Sequence, residues 1–193
     1  MEPIRVAPGL ALTETQYVAA ATGIAARAPD LAPLAWEAFV RPLGWWLVPD
    51  TDGELSKAEL ILREDRDVTV KINLWFLSDL RSTHPCPHSH PWTFSSQILA
   101  GGYSETRYSV DDGQVDVTEL QHSQGTVNAV DRRLYHEVTA LHAPPGGTMT
   151  LMVCGPGERD TWGYLNPDTG RHVPPAADDT FPTRLKALNP HRL

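Results

Sequence analysis

Residues 67–102, DVTVKINLWFLSDLRSTHPCPHSHPWTFSSQILAGG, decide how this chain is read. In the first half, Val68, Val70, Ile72, Leu74 and Phe76 alternate with Thr69, Lys71, Asn73 and Trp75, so an extended segment would carry one apolar face and one mixed face. Side chains repeat every two residues along a strand, and β-branched and aromatic residues fit its pleated surface, so a strand is expected here. ELILRED before it and WTFSSQILA after it have the same character, and YSETRYSV, QVDVTEL, TVNAV, LYHEVTAL, TMTLMVC and TWGYLN follow at short intervals. Gly101-Gly102, Asp111-Asp112-Gly113, Pro144 to Gly147 and Gly155-Pro156-Gly157 punctuate these runs as turns. Short strands with turn signals every 8–12 residues or about that predict a mainly β sandwich or barrel.

Towards the N-terminus the period changes. ALTETQYVAAATGIAARA, starting at Ala11, is rich in alanine, with Leu12, Tyr17, Ala20 and Ile24 roughly one helical turn apart. Thr13 reads as its N-cap and Pro29 as its stop. DLAPLAWEAFVRPLG then reads as a second short helix, capped by Asp30, with Trp36, Phe39 and Val40 as an apolar stripe and Pro42-Leu43-Gly44 as its end. The expected organisation of residues 1–193 is a single domain: a helical pair over 11–41, a β-domain over about 58–165, and a loop-like tail over 166–193 with one helical turn near Arg184 to Leu188.

The chain has 193 residues, of which 41% are hydrophobic and 21% charged, enough to bury one sizeable core. Sixteen Lys+Arg against twenty-four Asp+Glu leave a net charge of −8, which argues against a partner held through phosphates, nucleic acid or anionic membrane. No apolar run approaches the roughly 20 residues of a membrane helix. The start, MEPIRVAPGLALTETQ, has no basic-then-apolar signal, and Cys86 and Cys154 make no disulfide framework, so a cytoplasmic protein is expected.

The chemistry concentrates at THPCPHSHPW, where three of the eight histidines (His84, His88 and His90) lie within seven residues. In an extended segment His88 and His90 point to the same face, about 6–7 Å apart at the backbone, close enough to share one ion. Pro87 and Pro91 fix φ and favour that extended path. A third ligand must come from elsewhere, and His136 in RRLYHEVTA is the best candidate. It shares a strand face with Leu134 and Val138, a costly placement for an imidazole unless its nitrogens are satisfied.

These residues resemble the two short motifs of the cupin superfamily, G-x5-H-x-H-x3,4-E-x6-G and G-x5-P-x-G-x2-H-x3-N. His88-x-His90 is followed by Gly101 at the family distance, and Gly125 lies eleven residues before His136. Ser82 stands for the first glycine, Asp131 and Arg133 for the proline and glycine of the second motif, and Ala140 for the asparagine. The position of the metal-binding glutamate falls on Phe94 or Ser95, neither of which can ligate. The resemblance, over residues 65–165, implies a jelly-roll β-barrel, here with an N-terminal pair of α-helices, and a divalent metal ion on His88, His90 and His136. The three-histidine set is similar to that of thiol dioxygenases and some other cupin oxygenases. It implies an oxidoreductase, a non-haem Fe(II) oxygenase or dioxygenase acting on a small polar metabolite. Zn, Ni, Mn or Cu would also suit such ligands. The alternatives are a cupin isomerase, epimerase or lyase without O2 chemistry, and a non-catalytic small-ligand-binding cupin. A small-molecule substrate and a homodimer follow from the resemblance alone.

Neighbouring residues carry weaker expectations. Cys86 would share the histidine face and is a possible fourth ligand, although a small residue in a tight strand entry reads as well; His84 is expected to be exposed or behind the ligands, and Cys154 to be buried filler. Trp92 and Phe94 continue the His88/His90 face as an apolar wall. Arg107 is a candidate anchor for a substrate carboxylate, or with Glu105 forms an exposed charged strand face. Tyr164 is a candidate proton donor or oxyanion partner, and Gln97 has similar standing.

Overall fold

The computed structural model describes residues 2–80, 84–158 and 162–192. Its strands are β1 Ile4–Ala7, β2 Leu10–Leu12, β3 Trp45–Pro49, β4 Leu55–Glu64, β5 Thr69–Trp75, β6 Phe94–Ala100, β7 Gly102–Asp111, β8 Gln114–Ser123, β9 Val127–Val130, β10 Tyr135–Leu141, β11 Thr148–Cys154, β12 Tyr164–Asn166 and β13 Arg171–Val173. The helices are α1 Glu14–Arg27, the single turn α2 Trp36–Phe39, and α3 Phe181–Leu188. Among the described residues no helix is long and apolar enough to cross a membrane.

The strands order as an antiparallel six-stranded sheet, β3-β4-β5-β11-β6-β9, a three-stranded sheet, β10-β7-β8, and the hairpins β1-β2 and β12-β13. His88, outside any named strand, bridges His136 of β10 on one side and Tyr164 of β12 on the other, and so joins the last hairpin to the smaller sheet. The alternation in β5 sends its two faces to different places. Val70, Ile72 and Leu74 pack with Ala20 and Ile24 of α1, Phe39 of α2, and Leu10 and Leu12 of β2 in the main hydrophobic core, outside the six-stranded sheet. Lys71, Asn73 and Trp75 point the other way, into a cavity shared with residues of β7 and β10.

Two expectations about the architecture are corrected. The chain is mainly β, but its sheets are not closed into a barrel. One free edge, at β3, is occupied instead by the C-terminal segment: Asn189 donates to the Leu47 carbonyl from Nδ2 (2.7 Å) and accepts from the Leu47 N–H at Oδ1 (2.8 Å), so a side-chain amide takes the place of a neighbouring strand. The tail is accordingly not a loop with one turn but holds β13 and α3, which lies against β3.

Of the two expected N-terminal helices, only α1 is clear. It is capped as the sequence indicates: Thr13 Oγ1 accepts from the Gln16 N–H (3.2 Å) while Gln16 Oε1 accepts from the Thr13 N–H (2.8 Å). The second reduces to the turn Trp36–Phe39 because Asp30 caps nothing. Its carboxylate pairs with Arg63 Nη1 (2.7 Å), and Ala35, at the N-cap of α2, offers no side-chain cap. Phe39 and Trp45 are fully buried beneath this segment, with their ring centroids 5.6 Å apart. The β1-β2 hairpin and β3 are elements the periodicity reading did not find.

Candidate metal centre

His88 and His136 form an antiparallel pair in which each N–H donates to the other's carbonyl at 2.9 Å. Directly opposed residues of such a pair project side chains to one face, and His90, two residues on, shares that face. The three rings form a nearly equilateral cluster, with centroids 5.0, 5.2 and 5.1 Å apart. Each offers a ring nitrogen, these atoms all lie within 4.8 Å of one another, and Nε2 of His90 and Nε2 of His136 are 2.9 Å apart. The residues the sequence singled out as ligands are thus brought together, and the donor set fits one divalent ion.

Burial pushes the His88 imidazole down to about 4 despite the opposing pull of the Asp79 carboxylate. Burial, together with the neighbouring His88 and His136, pushes His90 down to about 2. Metal ligation requires a neutral imidazole with a free lone pair, so both rings are in the ligating form at neutral pH.

Behind His136 lies Glu105 on β7, 1% exposed. The Glu105 carboxylate accepts from His136 Nδ1 (2.6 Å) and His122 Nε2 (2.8 Å), and also from Arg107 Nε (3.1 Å) and Asn128 Nδ2 (3.2 Å). Burial alone would raise its pKa, but the hydrogen bonds from His136 and His122 and the charge of Arg107 hold it down at about 2. An ionised carboxylate on Nδ1 fixes the His136 tautomer and aims the bare Nε2 at its two partners, the usual arrangement behind a metal-binding histidine.

The histidines face a cavity of about 140 Å³. Trp92 and Phe94 line it, as expected of a continuing face, with the Phe94 ring edge-on to His90 at 5.0 Å and Trp92 stacked at 6.2 Å. The opposite wall is charged. Lys57 of β4 pairs with Asp79 (3.2 Å) and lies 3.9 Å over the Trp75 ring, and Lys71 of β5 pairs with Glu59 of β4 (2.7 Å). Burial raises the Asp79 carboxyl, but Lys57, the neighbouring His88 and His136 and the hydrogen bond from the Val138 N–H more than offset it, so Asp79 sits well below the usual carboxylate range. The reading of the sequence missed this wall. Its signal was present in the mixed Lys71-Asn73-Trp75 face of the deciding strand.

Several other candidates are placed elsewhere. Arg107 and Glu105 do not form an exposed charged face: Arg107 is spent on Glu105, Asn128 and the Ala129 carbonyl (3.0 Å) and does not line the cavity. Tyr164 pairs with His88 through its backbone, with its ring centroid 6.5 Å from that of His88, and it too lies outside the cavity lining. Cys86 is exposed overall and outside the three-histidine group, with partial burial of its thiol and the Glu137 and Asp79 carboxylates raising its pKa. His84 is exposed, Cys154 is buried, and Gln97 lies in a groove beside α1. Ser82, at the first motif glycine, lies outside the described residues.

No family model and no curated protein sequence matches the chain. Solved structures are similar to part of it. KdgF from a Halomonas species is 13% identical, over 60% of this chain and 88% of that one, with a TM-score of 0.42. An RmlC-like cupin from Shewanella frigidimarina is 15% identical over 60% and 87%, with a TM-score of 0.37. Streptomyces albus HEPD, with 2-hydroxyethylphosphonate and Fe(II) bound, is 16% identical over 59% of this chain, with a TM-score of 0.43; the chain spans 24% of its length. Cupins are thus among the structures to which this chain is similar.

Proposed function

We propose that the chain is a mononuclear metal enzyme with a cupin-type jelly roll, a non-haem Fe(II) oxygenase acting on a small polar metabolite, with the ion on His88, His90 and His136. The observation that carries this reading is the convergence of three histidine nitrogens, two of them 2.9 Å apart. Three neutral imidazoles leave positions open on a divalent ion, which suits non-haem iron better than a structural zinc site closed by four protein ligands. An Fe(II) ion there would supply Lewis acidity and O2 chemistry to a bound substrate.

The chain's own residues do the remaining work. Glu105 holds His136 in its ligating tautomer, and Trp75, Trp92 and Phe94 exclude bulk water. The 140 Å³ cavity restricts the substrate to a few non-hydrogen atoms, since a cavity of about 150 Å³ accommodates benzene. Arg107 and Tyr164 act in this reading as supports of Glu105 and of the His88 backbone rather than as groups touching substrate.

The test is metal analysis after anaerobic Fe(II) loading of the wild type beside a His88→Ala/His136→Ala variant. About one iron per chain is expected in the wild type and almost none in the variant, with O2 consumption restricted to small polar acids. Iron binding without O2 consumption would transfer the reading to isomerase or lyase chemistry. No metal in either protein would overturn it in favour of a non-catalytic binding protein.

A further inference from the structure

Resting on the metal reading above, we infer that Asn73 of β5 and Trp92, both lining the cavity, form a substrate-anchoring site that selects a small hydroxy acid, an organic anion of about six non-hydrogen atoms with a hydroxyl beside its charged group. Four features of the cavity lead there.

The first is charge. Lys57 and Lys71 are matched one for one by Asp79 and Glu59, and imidazoles ligate as neutral groups, so the lining by itself carries no net charge. A divalent ion would add two positive charges to a space walled by Trp75, Trp92, Phe94 and Met152. Uncompensated charge in such surroundings is strongly unfavourable, so the ligand that completes the site is an anion. A zwitterion, net neutral, leaves that charge uncompensated.

The second and third are unpaired polar atoms. Asn73 is 2% exposed, and its Nδ2 lies against the Met152 sulfur, while its Oδ1 is buried with no hydrogen-bond partner among the described residues. Trp92 Nε1 is likewise buried without a partner. Both residues line the histidine cavity. A buried donor or acceptor left unpaired is costly, so each atom marks a place where a ligand atom is wanted. Asn73 Oδ1 asks for a donor, which a hydroxyl supplies; Trp92 Nε1–H asks for an acceptor, which a carboxylate oxygen supplies.

The fourth is size: 140 Å³ admits a three- or four-carbon acid and little more. A hydroxy acid meets all four demands at once, whereas a simple carboxylic acid leaves Asn73 unmatched and a hydroxy amide leaves the charge unmatched.

The experiment is calorimetric titration of Co(II)-loaded protein, with the visible d–d bands of the ion as a second readout, using 2-hydroxypropanoate, propanoate, 2-hydroxypropanamide and alanine. The hydroxy acid is expected to bind at least about tenfold more tightly than each of the other three. Asn73→Leu should cut its advantage over propanoate to less than about threefold without changing Co(II) stoichiometry. Trp92→Phe, which keeps the ring and removes the donor, should weaken both acids alike, and it decides the matter if Asn73→Leu does not fold. Equal binding of the amide and the acid, or of propanoate and the hydroxy acid, overturns the inference while leaving the metal site standing. Failure of the wild type to take up Co(II) overturns both readings together.

Discussion

Glu105→Gln isolates the contribution of one buried carboxylate to both fold and site. The substitution keeps the shape and removes the charge that His136, His122, Arg107 and Asn128 all address as donors. The glutamine NH2 would then face His136 Nδ1, or else the three donors that share Oε2. Glu105 is held at about 2 from an ordinary value of 4.5, and a lowering of that size corresponds to roughly 3 kcal/mol of stability. Because the folded-state pKa is the lower one, this stability is fully present above the unfolded value near 4.5 and is lost as pH falls towards 2. Chelator-treated Glu105→Gln should therefore be about 2–3 kcal/mol less stable than wild type in urea at pH 7. At about 2–4 °C per kcal/mol for a chain of this size, its melting point should fall by roughly 5–10 °C. The gap should hold from pH 8 to pH 5 and close progressively below 4.5. Because Glu105 also fixes the ligating tautomer of His136, metal affinity by chelator competition should drop about 10–100-fold. A gap below about 0.5 kcal/mol at pH 7, or one that does not shrink in acid, would refute the assignment of Glu105 as an ionised anchor.

Two further substitutions test how the fold frames the site. Asn189→Ala removes both hydrogen bonds to Leu47 and leaves a buried N–H and C=O unpaired on the edge of β3, so a loss of about 2–3 kcal/mol in urea unfolding is expected, with concentration-dependent association as the edge is freed. Gly101 has φ +66°, and an added Cβ would lie 2.7 Å from Thr148 Oγ1 and 2.9 Å from the Gly147 carbonyl, so Gly101→Ala should cost at least about 2 kcal/mol by the same measurement; an unchanged midpoint would contradict the tight turn drawn between β6 and β7.

The three histidines were legible because their signal is local. Two lie two residues apart between prolines, and the third shares a strand face with Leu134 and Val138. The strand alternation was equally local, and it separated the core face of β5 from the face that became the cavity wall. What the sequence did not disclose depends on pairing across the fold. Glu105 and Arg107 looked like an exposed charged pair because i, i+2 charges on a strand usually face solvent. Only the packing of β7 against β10, with His122 and Asn128 beside it, makes that face a buried one. Asp30 is a plausible cap by sequence, yet Arg63, thirty-three residues away, competes for it more effectively. The tail read as a loop because nothing in Asn189 announces that its amide will complete a sheet edge 142 residues distant.

The way His88 and His136 are held bears on how metal, protons and fold are coupled. Their reciprocal backbone hydrogen bonds at 2.9 Å form an isolated bridge between β10 and the segment that carries His88, so backbone pairing sets the two rings facing one another. A site built this way differs from small zinc domains, in which ion binding is the folding reaction. Chelation should leave the fold intact and lower the melting point only by the mass-action amount set by ion concentration and affinity. Protons are then the competitor to consider. Burial holds His88 at about 4 against an ordinary 6.5, so between those values an unfolded chain takes up a proton that the folded chain refuses. Stability of the metal-free protein should therefore be fully present above pH 6.5 and fall by roughly 3 kcal/mol as pH drops to 4 on account of His88 alone. His88→Asn should flatten that slope. For the same reason an ion on these ligands meets little proton competition at mildly acidic pH, and occupancy measured by equilibrium dialysis should persist well below 6.5. Half-loss of the ion near pH 6.5, the value of an exposed imidazole, would mean that the histidines are not buried in the neutral form and that the pre-formed site does not exist.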